Sequence, residues 1–186
     1  MGSSKLHGKR IYLSLWKASD AKRLAELCND KSIHNFTGVP YPYTIKHARD
    51  FIKKSEKKIK AQRGFAFAII LKEINKPVGC VDLIEISKRH RRGEIGYWLG
   101  SRYRQKGYMG EALQIMLKFC FNKLKLNRVE ITCAKENFAS KRTIESSGAR
   151  FEGLLRRRNF SGNKFHDVMM YGLLKSEYKQ RDAISL

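Results

Sequence analysis

Apolar runs alternate with amphipathic segments along most of this sequence. Short runs rich in β-branched and aromatic residues indicate strands, and they occupy residues 11–16, 65–71, 77–86, 94–99, 128–133, 149–156 and 164–174. Between them, apolar residues spaced at i, i+3 and i+4 indicate amphipathic helices, over about residues 20–28, 44–62, 111–120 and 137–147. The pattern predicts an α/β fold (mixed α+β) with about seven strands and about four helices.

The order of these elements constrains the sheet. One turn at residues 74–77 joins two strands into a hairpin, and another at 159–163 joins the last two strands. Hairpins at both ends, with helices between the middle strands, predict a central sheet that is mixed and mostly antiparallel. The 186 residues contain no linker or internal repeat. We therefore expect a single domain over residues 10–180, with loose termini at 1–9 and 181–186.

One stretch combines a strand, a loop and a helix start. The strand at 94–99 leads into a basic loop that contains Gly107 and Gly110, and the helix follows directly. Free N–H groups at a helix start bind anions, and glycines let the backbone approach a ligand closely. The stretch therefore predicts a phosphate or pyrophosphate site, although an ordinary strand-to-helix turn would have the same spacing. The stretch lacks the Gly-Lys-Ser/Thr ending of a P-loop, and it also lacks the G-x-G-x-x-G pattern of the dinucleotide fingerprint.

The charge balance is the most unusual property of the composition. Lys and Arg number 39 and Asp and Glu number 17, so the net charge is +22. Such a field attracts polyanions, including nucleic acid, ribosomes and phosphate-rich cofactors, and it repels small polycations. The alternative is a lysine-rich proteome in which the charge serves no specific partner.

The sequence argues against three classes for this chain: a membrane protein, a secreted protein and a metal-binding protein. No apolar run approaches the roughly 20 residues of a membrane span, and no secretory apolar region follows the N-terminus. We therefore expect a cytoplasmic protein without a membrane partner. The cysteines are isolated from one another, which indicates free buried thiols rather than a zinc site or a redox pair; they are Cys28, Cys80, Cys120 and Cys133.

An aromatic loop lies between the first two predicted helices. It contains Phe36, Tyr41 and Tyr43 among the helix breakers Gly38, Pro40 and Pro42. Aromatic loops often line a ligand groove, but they also cover the edges of cores. Both roles remain open for these rings at this level.

Residues 104–113 resemble the acetyl-coenzyme A loop of the GNAT superfamily of N-acetyltransferases, whose motif is Gln/Arg-x-x-Gly-x-Gly/Ala. Arg104 and Gly107 match this motif, and Met109 stands where Gly or Ala is usual. Further segments resemble the branch that acetylates protein N-termini, the RimJ/RimL type; they are residues 94–99, 136–142 and 147–153. The resemblance extends from about residue 10 to residue 178.

This resemblance implies a three-layer fold and acetyl-CoA as the donor, with no metal. The strand backbone at residues 97–99 would pair with the pantetheine amides, and the N–H groups of residues 104–110 would hold the pyrophosphate. The Asn137 side chain would bond the pantetheine arm, which is compatible with its alternative role as a helix N-cap. The implied cofactor-binding residues are Tyr97, Trp98, Leu99, Arg104, Gln105, Lys106, Gly107, Tyr108, Met109, Gly110, Asn137 and Ser140.

Glu94 is the candidate general base, acting directly or through water. It lies near the start of a strand that is expected to be buried, where desolvation raises the pKa of a carboxyl group. The alternative is a structural ion pair with Arg91 or Arg92.

Ser140 is the candidate acid for the leaving thiolate. Many GNAT enzymes carry a tyrosine one turn later, where this chain has Ile144, and the RimL-like branch is thought to use a serine at the position of Ser140 instead. RimL-like enzymes also carry a glutamate after the sixth strand, and the matching residue here is Asn159, which favours Glu94 as the base. His166 and Asp167 are weaker candidates, because residues at such positions are more often structural.

The leading interpretation is an N-acetyltransferase of the ribosomal-protein type. It would move acetyl from acetyl-CoA to the α-amino group of a protein N-terminus, by direct transfer in a ternary complex. The peptide would enter between the aromatic loop and the turn at 159–163, and the basic surface would favour association with the ribosome or RNA. The alternatives are a GNAT-like enzyme for a small amine, such as a polyamine or an antibiotic, and a non-catalytic polyanion-binding module. The expected substrate-binding residues are Phe36, Tyr41, Tyr43 and Asn159.

Overall fold

A single eight-stranded sheet forms the centre of the molecule, in the order β1-β2-β3-β4-β5-β6-β8-β7. The computed structural model describes residues 5–179. The strands are β1 (Leu6–His7), β2 (Ile11–Leu15), β3 (Phe65–Leu71), β4 (Lys76–Ser87), β5 (Arg92–Leu99), β6 (Arg128–Ala134), β7 (Arg150–Ser161) and β8 (Lys164–Leu174). The helices are α1 (Ala21–Cys28), α2 (Lys31–His34), α3 (Ile45–Lys60), α4 (Tyr108–Lys118) and α5 (Phe138–Ser146). A π-helical turn, Phe119–Lys123, extends α4.

The expected mixed, mostly antiparallel sheet flanked by helices is confirmed, with small additions. Leu6–His7 pairs with β2 in a segment that was expected to be loose, and Lys31–His34 adds a short helix inside the aromatic loop. These account for the eighth strand and the fifth helix. The expected loose residues 1–4 and 181–186 lie outside the described residues.

Strand β3 is buried on both sides because helices cover both faces of the sheet. One face of β3 packs into the larger apolar cluster together with α4, through residues such as Phe67 and Leu113. The other face packs with α1 and α3 into a second cluster, through residues such as Ala68 and Leu24. Burying a side chain of this size stabilises the fold by about 1.5–3 kcal/mol. The result is the three-layer arrangement implied by the resemblance.

Strands β5 and β6 are the only parallel neighbours in the sheet of residues 5–179, and they separate part-way along. Their register covers only Arg92 to Ile95 against Arg128 to Ile131. Beyond this point β5 stays paired with β4, and β6 stays paired with β8. The main-chain groups of residues 96–99 that point toward β6 therefore have no strand partner. An unsatisfied strand edge of this kind can pair with an extended ligand.

Helix α3 begins where the sequence predicts. Thr44 is the N-cap, and its Oγ1 accepts a hydrogen bond from the His47 N–H at 3.3 Å. The His47 ring returns the bond by accepting from the Thr44 N–H at 3.2 Å. This reciprocal cap fixes the helix start by local interactions alone, which is why the sequence pattern located it.

The four cysteines are free and buried, as predicted. Within residues 5–179, no group of three or more His, Cys, Asp or Glu side chains is placed to hold a metal ion. In the same part of the chain, the helices are all too short or too polar to cross a membrane.

Candidate active site

The loop between β5 and α4 presents free N–H groups beside the gap in the sheet. Gly107 is the N-cap of α4 and has a φ of +76°, and Gln105 has a φ of +60°. Helix α4 begins at Tyr108, so the first N–H groups of the helix have no acceptor inside it. A methyl group added at Gly110 would meet no atom within 4 Å. Open space next to free N–H groups at a helix start suits a phosphate group.

Arg10 holds this loop in place, a role that the sequence analysis missed. Its Nε donates to Glu111 Oε2 at 3.1 Å, and its main-chain N–H donates to Glu111 Oε1 at 2.8 Å. Its NH1 donates to the Lys106 carbonyl at 2.8 Å, and its guanidinium lies 4.9 Å from the centre of the Tyr108 ring. Since Arg10 precedes β2, these contacts attach the start of α4 to the sheet.

Arg104 attaches the loop to the end of β5 and to α2. Its Nε donates to the Leu99 carbonyl at 3.0 Å, and its NH1 donates to Ser32 Oγ at 2.8 Å. Its NH2 lies 3.4 Å from Asp30 Oδ2. Burial pushes the pKa of Asp30 upward, but hydrogen bonds from Ser32 and the charge of Arg104 hold it below its usual value. The Arg104 guanidinium is thus occupied by protein groups.

The position of the Met109 side chain explains why a large residue can replace the usual Gly or Ala of the family motif. Its side chain is buried in the larger apolar cluster rather than directed at the loop surface. A large residue at this position therefore leaves the loop backbone accessible. The other expected loop residues, Gln105 and Lys106, are exposed.

The Tyr97 hydroxyl and Ser140 Oγ lie 2.8 Å apart. Tyr97 is on β5, and Ser140 is in the first turn of α5. The Asn137 side chain caps this helix, because its Oδ1 accepts from the Ser140 N–H at 3.1 Å. Burial raises the pKa of Tyr97, so its hydroxyl stays protonated. Ile144 is buried in the core and donates nothing.

Glu94 forms no ion pair with Arg91 or Arg92, which was the alternative to its role as general base. Arg92 NH1 binds Glu130 Oε2 at 2.7 Å, and the Arg91 guanidinium donates to the Lys125 carbonyl. Glu94 Oε1 instead accepts from Thr132 Oγ1 at 3.3 Å, across the parallel pair of strands. The carboxylate is therefore held in place by a neutral hydroxyl.

The two candidate catalytic groups lie on opposite faces of β5. Side chains alternate along a strand, so Glu94 and Trp98 share one face and Tyr97 and Leu99 share the other. Trp98 packs against the α1–α3 cluster, and Tyr97 packs against the cluster on the other face. A group reached through the gap between β5 and β6 would have Glu94 on one side and the Tyr97–Ser140 pair on the other.

The aromatic loop is divided between surface and core. Phe36 and Tyr41 are 37% and 42% exposed, whereas Tyr43 is 8% exposed and packs with α1 and α3. Of the three expected substrate-binding rings, the structure therefore leaves two at the surface and places Tyr43 in the core.

The aromatic loop and the β7–β8 hairpin touch each other. The Phe36 and His166 rings lie 5.9 Å apart, and Ser161 Oγ donates to the Asn35 carbonyl at 3.0 Å. Asn159 is exposed and lies opposite His166 in the hairpin register. The loop and the hairpin therefore form one continuous wall.

His166 and Asp167 have structural contacts. His166 is buried, with Nδ1 3.3 Å from Glu136 Oε2 and Nε2 3.1 Å from the Ser161 carbonyl. Asp167 Oδ1 accepts from the Arg157 main-chain N–H at 2.9 Å. Both residues hold the hairpin rather than face the gap.

Asp82 is a second carboxylate on the Glu94 face that the sequence analysis missed. It lies on β4 opposite Gly96. Burial and the nearby Glu94 raise its pKa to about 7, against an opposing effect of Lys58. A carboxylate in the middle of the apolar run of residues 77–86 was the signal that could have found it.

Comparison with known proteins identifies the family. A family model described as an acetyltransferase (GNAT) domain matches residues 10–150. The chain belongs to this family of GNAT acetyltransferases.

Relatives agree with this assignment, one of them over nearly the whole chain. It is 32% identical to the uncharacterized N-acetyltransferase p20 of Bacillus licheniformis over 174 residues, which are 93% of this chain and 97% of the relative. It is 27% identical to the ribosomal-protein-serine acetyltransferase of Escherichia coli over 110 residues, 59% of this chain and 62% of that protein. The solved structure of RimL, an L7/L12 alpha-N-protein acetyltransferase, in complex with coenzyme A has a TM-score of 0.86 at 19% identity and covers 92% of this chain and 98% of that one.

This GNAT protein is accordingly an N-acetyltransferase that depends on acetyl-CoA. The residues described above fit that donor. The edge of β5 at residues 96–99 offers main-chain groups without a strand partner for pantetheine amides, apart from the Leu99 carbonyl, which accepts from Arg104 Nε. The start of α4 offers N–H groups for the pyrophosphate. When bound, acetyl-CoA supplies a thioester whose acyl carbon is open to attack by an amine.

Proposed function

We propose that this enzyme acetylates the α-amino group of a protein N-terminus, of the ribosomal-protein type, by direct transfer in a ternary complex. The observation that carries the proposal is the placement of Glu94 and the Tyr97–Ser140 pair on opposite faces of β5 beside the gap. An amine approaching from the Glu94 face could lose its proton there, while the thiolate would leave toward the two hydroxyls. The names of the E. coli relative and of RimL favour a protein substrate.

The chain's own residues supply position and proton transfer. Glu94 accepts a proton from the acceptor ammonium, directly or through water, and the free amine then attacks the acyl carbon. The partly buried Tyr97 hydroxyl and Ser140 Oγ stabilise the departing sulfur by hydrogen bonding, and the sulfur receives the second proton of the amine. Holding the reactants in this order is itself a large part of the rate increase.

Phe36, Tyr41 and Asn159 would contact the first residues of the peptide. The rings of Phe36 and Tyr41 are exposed on the wall formed by the aromatic loop and the hairpin. An extended peptide entering along this wall would bring its amino end toward Glu94. Tyr43 would then act only by supporting the loop from the core.

The test is acetyl-CoA turnover, read as release of free thiol. The acceptors are peptides beginning with Ser, Ala or Met, with spermidine and an aminoglycoside as small amines. We expect turnover with the peptides, and Glu94→Gln and Ser140→Ala should lower kcat by about 10²-fold or more. Glu73→Gln and Ser176→Ala, which change exposed residues, serve as matched controls. Turnover confined to the small amines would replace the protein-substrate proposal with the small-amine alternative.

The basic surface is proposed to favour docking on the ribosome. Exposed lysines follow one face of α3, and the net charge of +22 has no compensating acidic region in the sequence. Binding through phosphate contacts weakens steeply as salt rises. Co-sedimentation with ribosomes at about 50 mM and 200 mM salt tests this: we expect loss of binding at the higher concentration, and absence of binding at both would remove the docking proposal.

A further inference from the structure

Asp82 lies where β5 leaves β6. Its partner in the β4–β5 register is Gly96, the first β5 residue beyond the parallel pairing. A methyl group added at Gly96 would lie 3.2 Å from Asp82 Oδ1. The carboxylate thus covers the backbone of β5 at the beginning of the gap. Glu94 is two residues earlier on the same face of β5, so the two carboxylates are neighbours.

A cavity of about 140 Å³ opens beside the Asp82 carboxylate. It lies between α3 and the strands, and its walls include Phe51, Ser55 and Lys58. Lys58 Nζ donates to the Ile84 carbonyl at 3.1 Å and makes no ion pair with Asp82. Among residues 5–179, no other side chain donates a hydrogen bond to this carboxylate. Within the same residues, its own main-chain N–H is the one donor that bonds the carboxylate. A carboxylate that faces a cavity and accepts no side-chain hydrogen bond has room and capacity for a cationic ligand.

We propose that Asp82 and Glu94 together bind the ammonium group of the acceptor, and that the proton that Glu94 accepts from it passes on to Asp82. This inference rests on the proposed function only in requiring that the acceptor be a primary amine. It adds a second carboxylate to the acceptor site and assigns the proton transfer within the pair.

The surroundings of Asp82 suit it to this role. A base works best when its pKa is close to the operating pH, and burial raises the pKa of Asp82 to about 7. Lys58 opposes that rise and Glu94 assists it. The strand β3 contributes only the apolar Phe65 and Ala66 to the cavity wall. The titratable and charged groups around Asp82 are Lys54 and Lys58 on α3, Glu94 on β5, and Cys80 and Glu85 on β4.

The protons balance across the reaction. One proton moves from the ammonium nitrogen to the Glu94 carboxylate, which frees the nitrogen lone pair, and from Glu94 it passes to an Asp82 carboxylate oxygen. The C–N bond forms as the C–S bond breaks, and the electrons of the C–S bond remain on sulfur. The second proton of the nitrogen goes to this sulfur through the Tyr97–Ser140 hydroxyls, giving free coenzyme A. Asp82 then releases its proton to water.

The first test compares Asp82→Asn with the wild type across pH 5.5–9, with a Ser-starting peptide and spermidine as acceptors. We expect the wild-type kcat/KM to rise through about pH 7, and Asp82→Asn to lose that rise and about 10²-fold in kcat/KM at pH 7.5. Asp82→Glu, which keeps a carboxylate, should retain more activity. Asp50→Asn, an exposed change on α3, is the matched control and should leave the profile unchanged. A wild-type profile in Asp82→Asn would overturn the inference.

The second test does not depend on turnover. NMR titration of the protein labelled with ¹³C at aspartate carboxyl carbons should show one signal with a midpoint near pH 7, absent in Asp82→Asn. Adding the Ser-starting peptide or spermidine should lower that midpoint, because a bound cation favours the ionised carboxylate. If no amine is acetylated by the wild type, the proposed function fails, and this titration still decides the binding. A midpoint that neither amine shifts would overturn the inference, even if the enzyme acetylates both.

Discussion

The Tyr97 hydroxyl lies 2.8 Å from Ser140 Oγ and joins β5 to the first turn of α5. Because burial raises the pKa of Tyr97, the phenol remains a hydrogen-bond donor at neutral pH. We propose that it shares the role that the family resemblance assigned to a serine alone. On this proposal, the hydroxyl that α5 lacks at Ile144 is supplied by Tyr97 from β5.

Removing the Tyr97 hydroxyl tests this relationship. We expect Tyr97→Phe to lower kcat about 10- to 10²-fold, because Ser140 alone is a weak acid and loses its partner. The KM for acetyl-CoA should change little, since the ring and its packing remain. Tyr12→Phe, which removes an exposed hydroxyl bonded to Asn75, is the control. Unchanged kcat in Tyr97→Phe would leave Ser140 as the sole candidate.

The two loop glycines should respond differently to alanine. Gly107 has a φ of +76°, so Gly107→Ala should cost about 1–2 kcal/mol of unfolding free energy. Gly110 lies inside α4 in open space, so Gly110→Ala should be neutral or stabilise the helix by up to about 1 kcal/mol.

Measuring coenzyme A affinity separates a role of Gly110 in ligand binding from a role in stability. If the loop backbone holds the pyrophosphate, Gly110→Ala should weaken coenzyme A binding at least about 10-fold in calorimetry, because the new methyl group occupies the ligand's space. Thermal unfolding of the same samples supplies the stability comparison. Full affinity in Gly110→Ala would place the pyrophosphate elsewhere.

The Arg10–Glu111 pair should contribute measurably to stability. Glu111 accepts three hydrogen bonds, from Arg10 N–H, Arg10 Nε and Ile11 N–H, and its side chain is only 8% exposed. Glu111→Gln should lower the unfolding free energy in urea by about 1–3 kcal/mol. Glu26→Gln, in an exposed i,i+3 pair with Arg23, should change it by less than about 0.5 kcal/mol. Equal effects of the two variants would contradict this account.

Asp82 should make the protein less stable as pH rises. Its folded pKa of about 7 is above the unfolded value of about 3.9, so the folded state binds the proton more tightly. Stability is therefore greatest at low pH with respect to this group and is lost between about pH 4 and pH 7. Asp82→Asn should remove that loss, and its unfolding free energy at pH 8 should exceed that of the wild type by a few kcal/mol at most.

This stability measurement separates function from folding. A variant that is more stable at pH 8 yet less active has lost a functional group rather than its fold. Urea unfolding at pH 5 and pH 8 for the wild type and Asp82→Asn suffices. An equal pH dependence in the two proteins would mean that Asp82 titrates in its ordinary range.

Elements with local signals could be located from the sequence. The Thr44 cap, the basic glycine loop after β5 and the strand at residues 65–71 each depend on residues within a few positions of one another. The start of α4 was predicted too late, at residue 111, because the apolar spacing begins there, whereas the helix begins at Tyr108 and contains Gly110. Glu94 and Ser140 were identifiable only because short segments around them resemble a family.

The sequence by itself determined the order and type of the elements, the position of the basic glycine loop and the family. Only the tertiary structure decided which side chains meet. The bulge at Ile84 sets the β4 register that puts Asp82 opposite Gly96, and the packing of α5 against β6 and α4 brings Ser140 to Tyr97. Arg10 meets Glu111 about 100 residues later, and Tyr43 turns into the core. Such contacts depend on strand register and helix packing over long separations, and no local pattern records them.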